Sequence, residues 1–383
     1  MTVETEYNPP YFGNPLRHWD NPDLLYEERL QAQYREVDPG GFSVVDWPAL
    51  RAAFGAHEDR ARFAKGRSRL LGARAVALAG TGAVLVPLSS LLPLPAQPAV
   101  LVAAMVMLLL GFGLGAWHLL QARGHSSWLS DRLTAERLRA GYFQVLIEFF
   151  DVAYRAISDP GARAEWEHTR AARLQDMRQR LDDEAKQGWE RWLLDGDLQG
   201  VWATDASPRD LNAIQEAVTR RAEEHPAAFE FIADRWYRQR MQVQRTFSCR
   251  ATLPSAHTAA GRQTVMVAIE YVSIAATPVI AAIAACDLLT GGRSITFWLS
   301  LMGAVSAIGL TVRLLDRGLR IRAEAQRYWD YKQRVSSTMN QFDRARKAGD
   351  LRGQVAAMFD LERNAYWETR QFYLDHRGNA FIG

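Results

Sequence analysis

The sequence predicts an all-α membrane protein, in which four transmembrane helices form two helical hairpins and long cytoplasmic helices form a bundle. Four apolar stretches occur as two tight pairs. Each has the length of about 20 residues that a helix needs to span a hydrocarbon core of roughly 30 Å. Within lipid each backbone group must be hydrogen-bonded inside its own segment, which favours helices. Elsewhere apolar residues recur at helical spacing, and no alternating run indicates a strand.

The first pair comprises residues 75–94 and 99–120, separated by a proline-containing turn. The second pair comprises residues 264–286 and 295–315. Basic residues crowd the outer ends of both pairs, whereas the two turns contain a single basic residue, Arg293. By the positive-inside rule we expect a multi-pass protein of the inner (plasma) membrane, with both termini and the long middle segment in the cytoplasm. Residues 1–30 are polar, so no signal peptide is expected.

Turn and cap signals predict five segments along the chain. These are an N-terminal cytoplasmic segment (1–56), a first transmembrane hairpin module with a helical extension (57–158), a cytoplasmic helical insert (159–228), a second transmembrane hairpin module with a helical extension (229–347), and a C-terminal cytoplasmic helix and tail (348–383). We expect the second and fourth spans to run on into the cytoplasm as continuous helices. A recurrence every seven residues predicts a short coiled-coil or bundle seam in the second extension: Ile321, Tyr328, Val335 and Phe342.

Composition and motifs exclude several classes of function. The chain has 383 residues and a net charge of only +3, which gives no reason to expect nucleic-acid binding. No glycine-rich phosphate loop, Cys/His cluster at metal-ligand spacing or nucleophile elbow is present. We therefore expect no enzyme activity, no catalytic residue, no cofactor and no metal. A tryptophan cluster is expected to pack the cytoplasmic core, with a ligand pocket beside Arg170 and Arg173 as the alternative: Trp166, Trp189, Trp192 and Trp202.

Charged residues inside a span are costly and mark candidate functional sites. Glu270 lies about two turns inside the third span and Arg313 about one turn from the end of the fourth, so a hairpin places both at similar depth. One interpretation is an intramembrane ion pair that fixes helix register, and the other is a cation-attracting ring in an oligomer. Glu270, Ser273 and Thr277 share one helix face and are the candidate pore-lining residues.

Small residues in the second span predict close helix packing. Gly111 and Gly115 form a small-xxx-small face. The contact can lie within one protomer or between the protomers of an oligomer. Pro87 and Pro278 each interrupt a span, and each is expected to introduce a kink that serves pore opening or packing. The second span is otherwise almost wholly apolar, so any pore must be narrow or closed at rest.

Three local patterns carry a resemblance to a known group of membrane proteins. They are the basic-aromatic residues 236–244 before the second hairpin, Trp128 and Arg132 with Ala135-Glu136 after the first, and the acidic-aromatic residues 362–368. The layout resembles the SLATT families, two-span membrane effector domains of bacterial conflict systems, with two modules in tandem over residues 20–150 and 230–375. This resemblance implies an effector that permeabilises the inner membrane when triggered, in association with nucleotide second messengers or without an obvious partner.

We therefore expect a homo-oligomeric inner-membrane effector that forms an ion channel or pore in a prokaryotic defence or stress pathway. Its expected partners are the lipid bilayer, further copies of the chain and a cytoplasmic nucleotide or protein trigger, but no nucleic acid. The alternative is a non-conducting membrane scaffold or signalling anchor that recruits a cytoplasmic partner. Both hypotheses fit the large cytoplasmic share and the apolar second span, and ion flux through liposomes separates them.

Overall fold

The computed structural model describes residues 22–25, 28–122, 127–188, 202, 210–253, 259–290 and 294–376. Over these residues the chain is predominantly helical, and none of them forms a strand. Four of the described helices are long and apolar enough to cross a membrane. The predicted class, an all-α membrane protein, is therefore confirmed.

The described helices follow a short 3-10 turn at Pro22–Leu24. In chain order they are α1 (Glu28–Val37), α2 (Pro39–Val45), α3 (Pro48–Ser89), α4 (Gln97–Ala122), α5 (Ser127–Glu148), α6 (Phe150–Arg155), α7 (Pro160–Gln187), α8 (Leu211–Glu224), α9 (Pro226–Trp236), α10 (Gln242–Ala251), α11 (Ala259–Leu289), α12 (Ile295–Leu319), α13 (Ile321–Lys347) and α14 (Leu351–His376). A π-helical turn, Tyr237–Met241, connects α9 to α10.

Aspartate and proline residues together set two of the helix starts. Asp38 caps α2 by accepting a hydrogen bond from the Gly41 backbone N–H at 2.9 Å. Asp159 caps α7 in the same way, accepting from the Gly161 N–H at 2.8 Å. In both helices proline occupies the first helical position, where its missing N–H costs no intrahelical hydrogen bond.

One expectation about helix continuity was wrong. The fourth span was expected to run on as one helix, but α12 ends at Leu319 and α13 begins at Ile321. Arg320 adopts the left-handed conformation with φ 53°, which interrupts the helical hydrogen-bond ladder. The expected continuation of the second span falls on residues 123–126, outside the described residues.

The chain divides into two compact units, each assembled from separate stretches of sequence. The first unit contains the residues up to Arg60 together with Ser130–Cys249 and Asp330–Gln371. The second contains Ala61–Leu129, Arg250–Trp329 and the residues from Phe372 onward, and it includes all four apolar stretches. The core of the first unit is rich in fully buried aromatic side chains: Phe54, Phe143, Phe150, Trp166, Trp202, Phe229, Trp236, Phe342 and Phe359.

The tryptophan core predicted from the sequence is confirmed for the two members that the structure describes. Trp166 is 1% exposed, and its indole N–H donates to a backbone carbonyl at 3.1 Å. Trp202 stacks on Phe359 with ring centroids 4.6 Å apart, and its indole N–H donates to a carboxylate at 3.2 Å. Trp189 and Trp192 lie outside the described residues. Because Trp166 and Trp202 are buried and hydrogen-bonded, these two side chains stabilise the core and do not line an open ligand pocket.

Candidate functional site at the ends of the membrane spans

Four helices carry the stretches that can cross a membrane: α3, the Gln97–Trp117 part of α4, the Ala260–Leu289 part of α11, and α12. The mean hydropathy of their most apolar windows ranges from 1.6 to 2.5. In α4 and α11 only 11% of that window is buried, so the outer faces of both helices are left for lipid or for another protein. α3 and α11 both remain helical through an internal proline, Pro87 and Pro278.

The first hairpin packs most closely at Gly111. A Cβ atom at this position would lie 2.5 Å from the backbone nitrogen of Ala79 and 2.8 Å from the carbonyl oxygen of Ala75. Backbone atoms cannot move aside, so only glycine allows α4 to approach α3 this closely. A Cβ atom at Gly115 would lie 3.8 Å from the Cβ of Ala75, which is an ordinary contact. In the structure, the Gly111 contact lies within one protomer, and Gly115 lies at its edge.

α3 also packs against α12 and thereby joins the two hairpins inside the second unit. A Cβ atom at Gly303 would lie 3.2 Å from the Cβ of Pro87. The side-chain oxygens of Ser90 and Ser300 are 2.5 Å apart. These contacts use small and hydroxyl-bearing residues, which allow helices to approach closely in a membrane and to hydrogen-bond across the interface.

Four charged residues form an ionic cluster at one end of the second hairpin, which we call the Glu270 cluster: Glu270, Arg313, Asp316 and Arg322. Arg313 Nε donates to Glu270 Oε1 at 2.9 Å, and Arg322 also forms an ion pair with Glu270. Arg322 Nε lies 3.0 Å from Asp316 Oδ2. The structure thus brings together the two residues considered from the sequence and adds Arg322, which lies beyond the fourth span in α13. The Glu270 side chain is 16% exposed and the Arg313 side chain 60%.

The other two candidate pore-lining residues are engaged within the second hairpin. Ser273 is 8% exposed, and its hydroxyl donates to the Ile269 carbonyl oxygen at 2.8 Å. A Cβ atom at Gly309 of α12 would lie 3.3 Å from the Ser273 Cβ. Thr277 is half-buried and donates to the Ser273 carbonyl oxygen at 3.0 Å. In the protomer, Ser273 therefore faces the neighbouring span α12.

A second ionic cluster surrounds Glu324 in α13, and no sequence motif predicted it. We call it the Glu324 cluster: Glu324, Lys65, Arg69, Arg262 and Arg327. Arg69 Nη2 donates to both carboxylate oxygens of Glu324, at 3.1 and 3.2 Å. Arg262 Nη2 donates to Glu324 Oε2 at 3.4 Å. One buried carboxylate of α13 therefore binds guanidinium groups from both α3 and α11.

The electrostatics of this region fix two protonation states. Burial alone would raise the pKa of Glu324, but the four cations of the cluster outweigh burial and lower that pKa to about 2. His376, in the same unit, is 2% exposed and lies against Trp128 and Phe372, with Nδ1 2.7 Å from the Phe372 carbonyl oxygen. Burial, with two cations nearby, lowers the pKa of His376 to about 3. At neutral pH Glu324 is therefore ionised, and His376 is neutral with Nδ1 as the donor.

The first unit holds a buried ionic network around its π-helical turn. Arg240 is 2% exposed and binds Glu362 through two hydrogen bonds, of 2.9 Å from Nε and 3.1 Å from Nη2. Asp23 is 1% exposed, and its Oδ2 lies 3.4 Å from Arg139 Nε and 3.8 Å from Arg240 Nη1. Burial raises the pKa of Asp23 against the opposing effect of the two guanidinium groups. The network joins four segments that are distant in sequence.

Neither a candidate metal site among the described residues nor a similar known protein indicates a further functional site. Among the described residues, no group of three or more His, Cys, Asp or Glu side chains is placed to hold a metal ion. Comparison with protein-family models, with curated proteins and with solved structures finds no match to this chain. The residues themselves therefore define what the site can do: the two ionic clusters hold the ends of the spans together and present guanidinium groups that attract anions.

Proposed function

We propose that this protein is an integral membrane anchor, whose four spans hold a helical unit at the cytoplasmic face, where that unit recruits a protein partner. One observation carries the proposal: the three candidate pore-lining residues of the third span, Glu270, Ser273 and Thr277, form their contacts inside the protomer. Glu270 pairs with Arg313 and Arg322, while Ser273 packs against α12. This pairing fixes the register of the second hairpin, as a stable anchor requires, and it satisfies the Glu270 carboxylate without a water-filled lumen.

The first unit is the part that meets the partner in this proposal. Its buried aromatic side chains and its Arg240–Glu362 pair form a core that does not depend on lipid. A unit with its own core keeps its shape outside the bilayer and can present a fixed surface. In this proposal the spans hold the protein in the membrane, and the first unit binds the protein partner.

The proposed orientation places the termini and the first unit on the cytoplasmic side of an inner (plasma) membrane, and the two cysteines, Cys249 and Cys286, test it. Cys286 is exposed in the last turn of α11, next to the turn of the second hairpin, whereas Cys249 belongs to the first unit. A membrane-impermeant maleimide applied to intact cells should label the Cys249→Ser variant through Cys286. It should not label the Cys286→Ser variant until the membrane is opened. The reverse pattern would invert the orientation.

A second candidate function is the homo-oligomeric channel-like effector of a defence or stress pathway that the SLATT resemblance implies, opened by a nucleotide or protein trigger. The observation that favours it is Arg313, whose side chain is 60% exposed although it lies within the α12 span. A guanidinium group facing lipid is costly, so assembly around an axis, with Arg313 facing water or another copy, would relieve that cost. In this candidate, Glu270 and Arg313 together would set the charge selectivity.

Reconstitution separates the two functions. The full chain is placed in liposomes loaded with an ion-sensitive dye, and its mass in nanodiscs is measured in parallel. The anchor predicts a monomer or compact dimer and no flux above empty liposomes. A ring of several copies with flux that changes in Glu270→Gln would overturn the anchor and favour the effector. The matched control is Glu216→Gln, a change of the same chemistry at an exposed position of α8 in the first unit.

A further inference from the structure

Arg69 and Arg262 share a single counter-ion in the second unit. The two guanidinium groups come from α3 and α11, and both donate to the carboxylate of Glu324. Glu324 itself is 4% exposed, so it is enclosed by the groups that it neutralises. Two positive charges on one carboxylate leave an excess of positive charge at this point, which attracts a further anion.

The hydrogen-bond donors of the two arginines are also incompletely used. The Nε atoms of Arg69 and Arg262 are buried, and neither has a hydrogen-bond acceptor among the residues that the structure describes. A guanidinium group offers five N–H donors in a fixed fork that matches carboxylate and phosphate oxygens. The side chains remain accessible, since Arg69 is 26% exposed and Arg262 is 40% exposed. An oxygen-rich anion can therefore approach the exposed part of each side chain, and the buried Nε donors come within its reach when the side chain turns toward it.

The positions of Arg69 and Arg262 along their helices indicate where the Glu324 cluster lies relative to the membrane spans. Arg69 precedes the first apolar stretch, which starts at residue 75, and Arg262 precedes the third, which starts at residue 264. Both residues thus lie just before a span that enters the membrane from the same side. This is the depth of the lipid headgroups, where basic residues meet the phosphate groups of anionic lipids.

We propose that Arg69 and Arg262 form a binding site for the phosphate group of an anionic phospholipid headgroup, with Glu324 as its internal competitor. The chemistry shared with any soluble phosphate is a tetrahedral oxyanion held by two guanidinium forks. The headgroup is favoured because the cluster lies at the edge of the spans. The site does not depend on whether the spans conduct ions, because it uses only the middle of α3, the start of α11 and the first turn of α13.

Because Glu324 competes with the lipid for the two arginines, a lipid-binding cluster can be distinguished from a cluster that only stabilises the fold. Arg69→Gln and Arg262→Gln each remove one guanidinium group from the site. Each should weaken lipid binding roughly tenfold, which corresponds to the loss of one charged hydrogen bond. Glu324→Gln releases both forks and should strengthen binding, also by roughly tenfold. A purely structural cluster would respond to all three changes with a loss.

The experiment measures binding of phosphatidylglycerol to the full chain in phosphatidylcholine nanodiscs by native mass spectrometry, with circular dichroism to check folding. The matched control is Arg67→Gln, an exposed arginine of α3 close to Arg69. An equal loss in Arg67→Gln would show non-specific attraction and overturn the site. Displacement by inorganic phosphate at the same concentration would assign the site to a soluble anion and overturn the headgroup. If either arginine variant misfolds, Glu324→Gln alone tests the proposal. If Glu324→Gln then binds the lipid no more tightly than the wild type, the proposal is overturned.

Discussion

Arg322 and Glu270 form an ion pair that joins the first turn of α13 to the third span. Arg322 comes only two residues after Arg320, where the left-handed conformation ends α12 and lets α13 begin with a new hydrogen-bond ladder. The contact therefore depends on a break in the helix that follows the fourth span. Because Arg322 also binds Asp316 of α12, one side chain connects α11, α12 and α13.

Removing the Glu270 carboxylate should lower the thermal stability of the protein. Glu270→Gln keeps the shape of the side chain but removes the charge on which Arg313 and Arg322 converge. We expect a lower unfolding temperature in detergent, followed by tryptophan fluorescence, and a smaller loss for Arg322→Gln because Arg313 still pairs with Glu270. The exposed Arg317→Gln is the matched control and should leave the temperature unchanged. Unfolding of Glu270→Gln at the wild-type temperature would show that the Glu270 cluster does not stabilise the hairpin.

The second span, in α4, should tolerate alanine at two of its three glycines, Gly111, Gly113 and Gly115. Gly111→Ala places a Cβ 2.5 Å from the Ala79 backbone nitrogen, so α3 and α4 must separate, at a cost of about 1–3 kcal/mol. Gly113→Ala meets nothing within 4 Å and should stabilise the helix by about 0.5–1 kcal/mol. Gly115→Ala gains only an ordinary contact with Ala75 and should be close to neutral. Thermal unfolding in detergent gives the order, and an equal loss in all three variants would contradict the Gly111 contact.

Removing one member of the Arg240–Glu362 pair should destabilise the protein more than replacing both members with apolar residues. Both groups are almost fully buried, so Glu362→Gln leaves the Arg240 charge with only the more distant Asp23 carboxylate and should destabilise the first unit by about 3–5 kcal/mol. Replacing both, as Arg240→Met with Glu362→Leu, removes both charges and should recover most of that loss. Amide hydrogen exchange in the first unit measures the effect. A double variant as unstable as the single one would show that the pair has a role beyond mutual neutralisation.

Mild acid should destabilise the second unit through His376. The pKa of its imidazole falls from 6.5 to about 3 on folding, so below pH 6.5 the unfolded state binds a proton that the folded state rejects. Stability therefore falls as the pH drops from 6.5 towards 3, by at most about 1.4 kcal/mol per pH unit for this one group. His376→Phe keeps an aromatic ring beside Trp128 and removes the titration. Its unfolding temperature should fall less steeply with acid, and an unchanged slope would contradict the assignment.

Much of the fold follows from local sequence signals. Four apolar stretches predict the hairpins, and similar depth along two antiparallel helices predicts that Glu270 lies beside Arg313, as the structure shows. Of the seven-residue recurrence in α13, Ile321, Val335 and Phe342 are almost fully buried, as expected for a seam. These features depend on helical periodicity and on the bilayer, both of which act over short stretches of chain.

The ionic clusters could not be predicted in the same way. Arg69 and Glu324 are 255 residues apart in sequence, so their contact depends on how α3 packs beside α13. The one available signal was the Ala-Glu pair after each hairpin, since both of its carboxylates bind arginines: Glu136 in the first unit and Glu324 in the second. Arg320 itself carries no signal, because it is neither glycine nor proline; the nearest glycine, Gly318, lies two residues before the break and inside the last turn of α12.

The unbroken length of α3 has a mechanical consequence. α3 runs from Pro48 to Ser89 as one helix of 42 residues, whereas Arg320 separates α12 from α13. Each α-helical residue advances the chain by about 100°, so one residue inserted in the first turns of α3 would rotate every later side chain of that helix by this angle. An insertion at Arg320 would be absorbed by the break. The backbone of α3 is therefore continuous from its first turn to its span, whereas α13 is joined to the fourth span by side-chain contacts such as Arg322 with Asp316 and not by a continuous helical ladder.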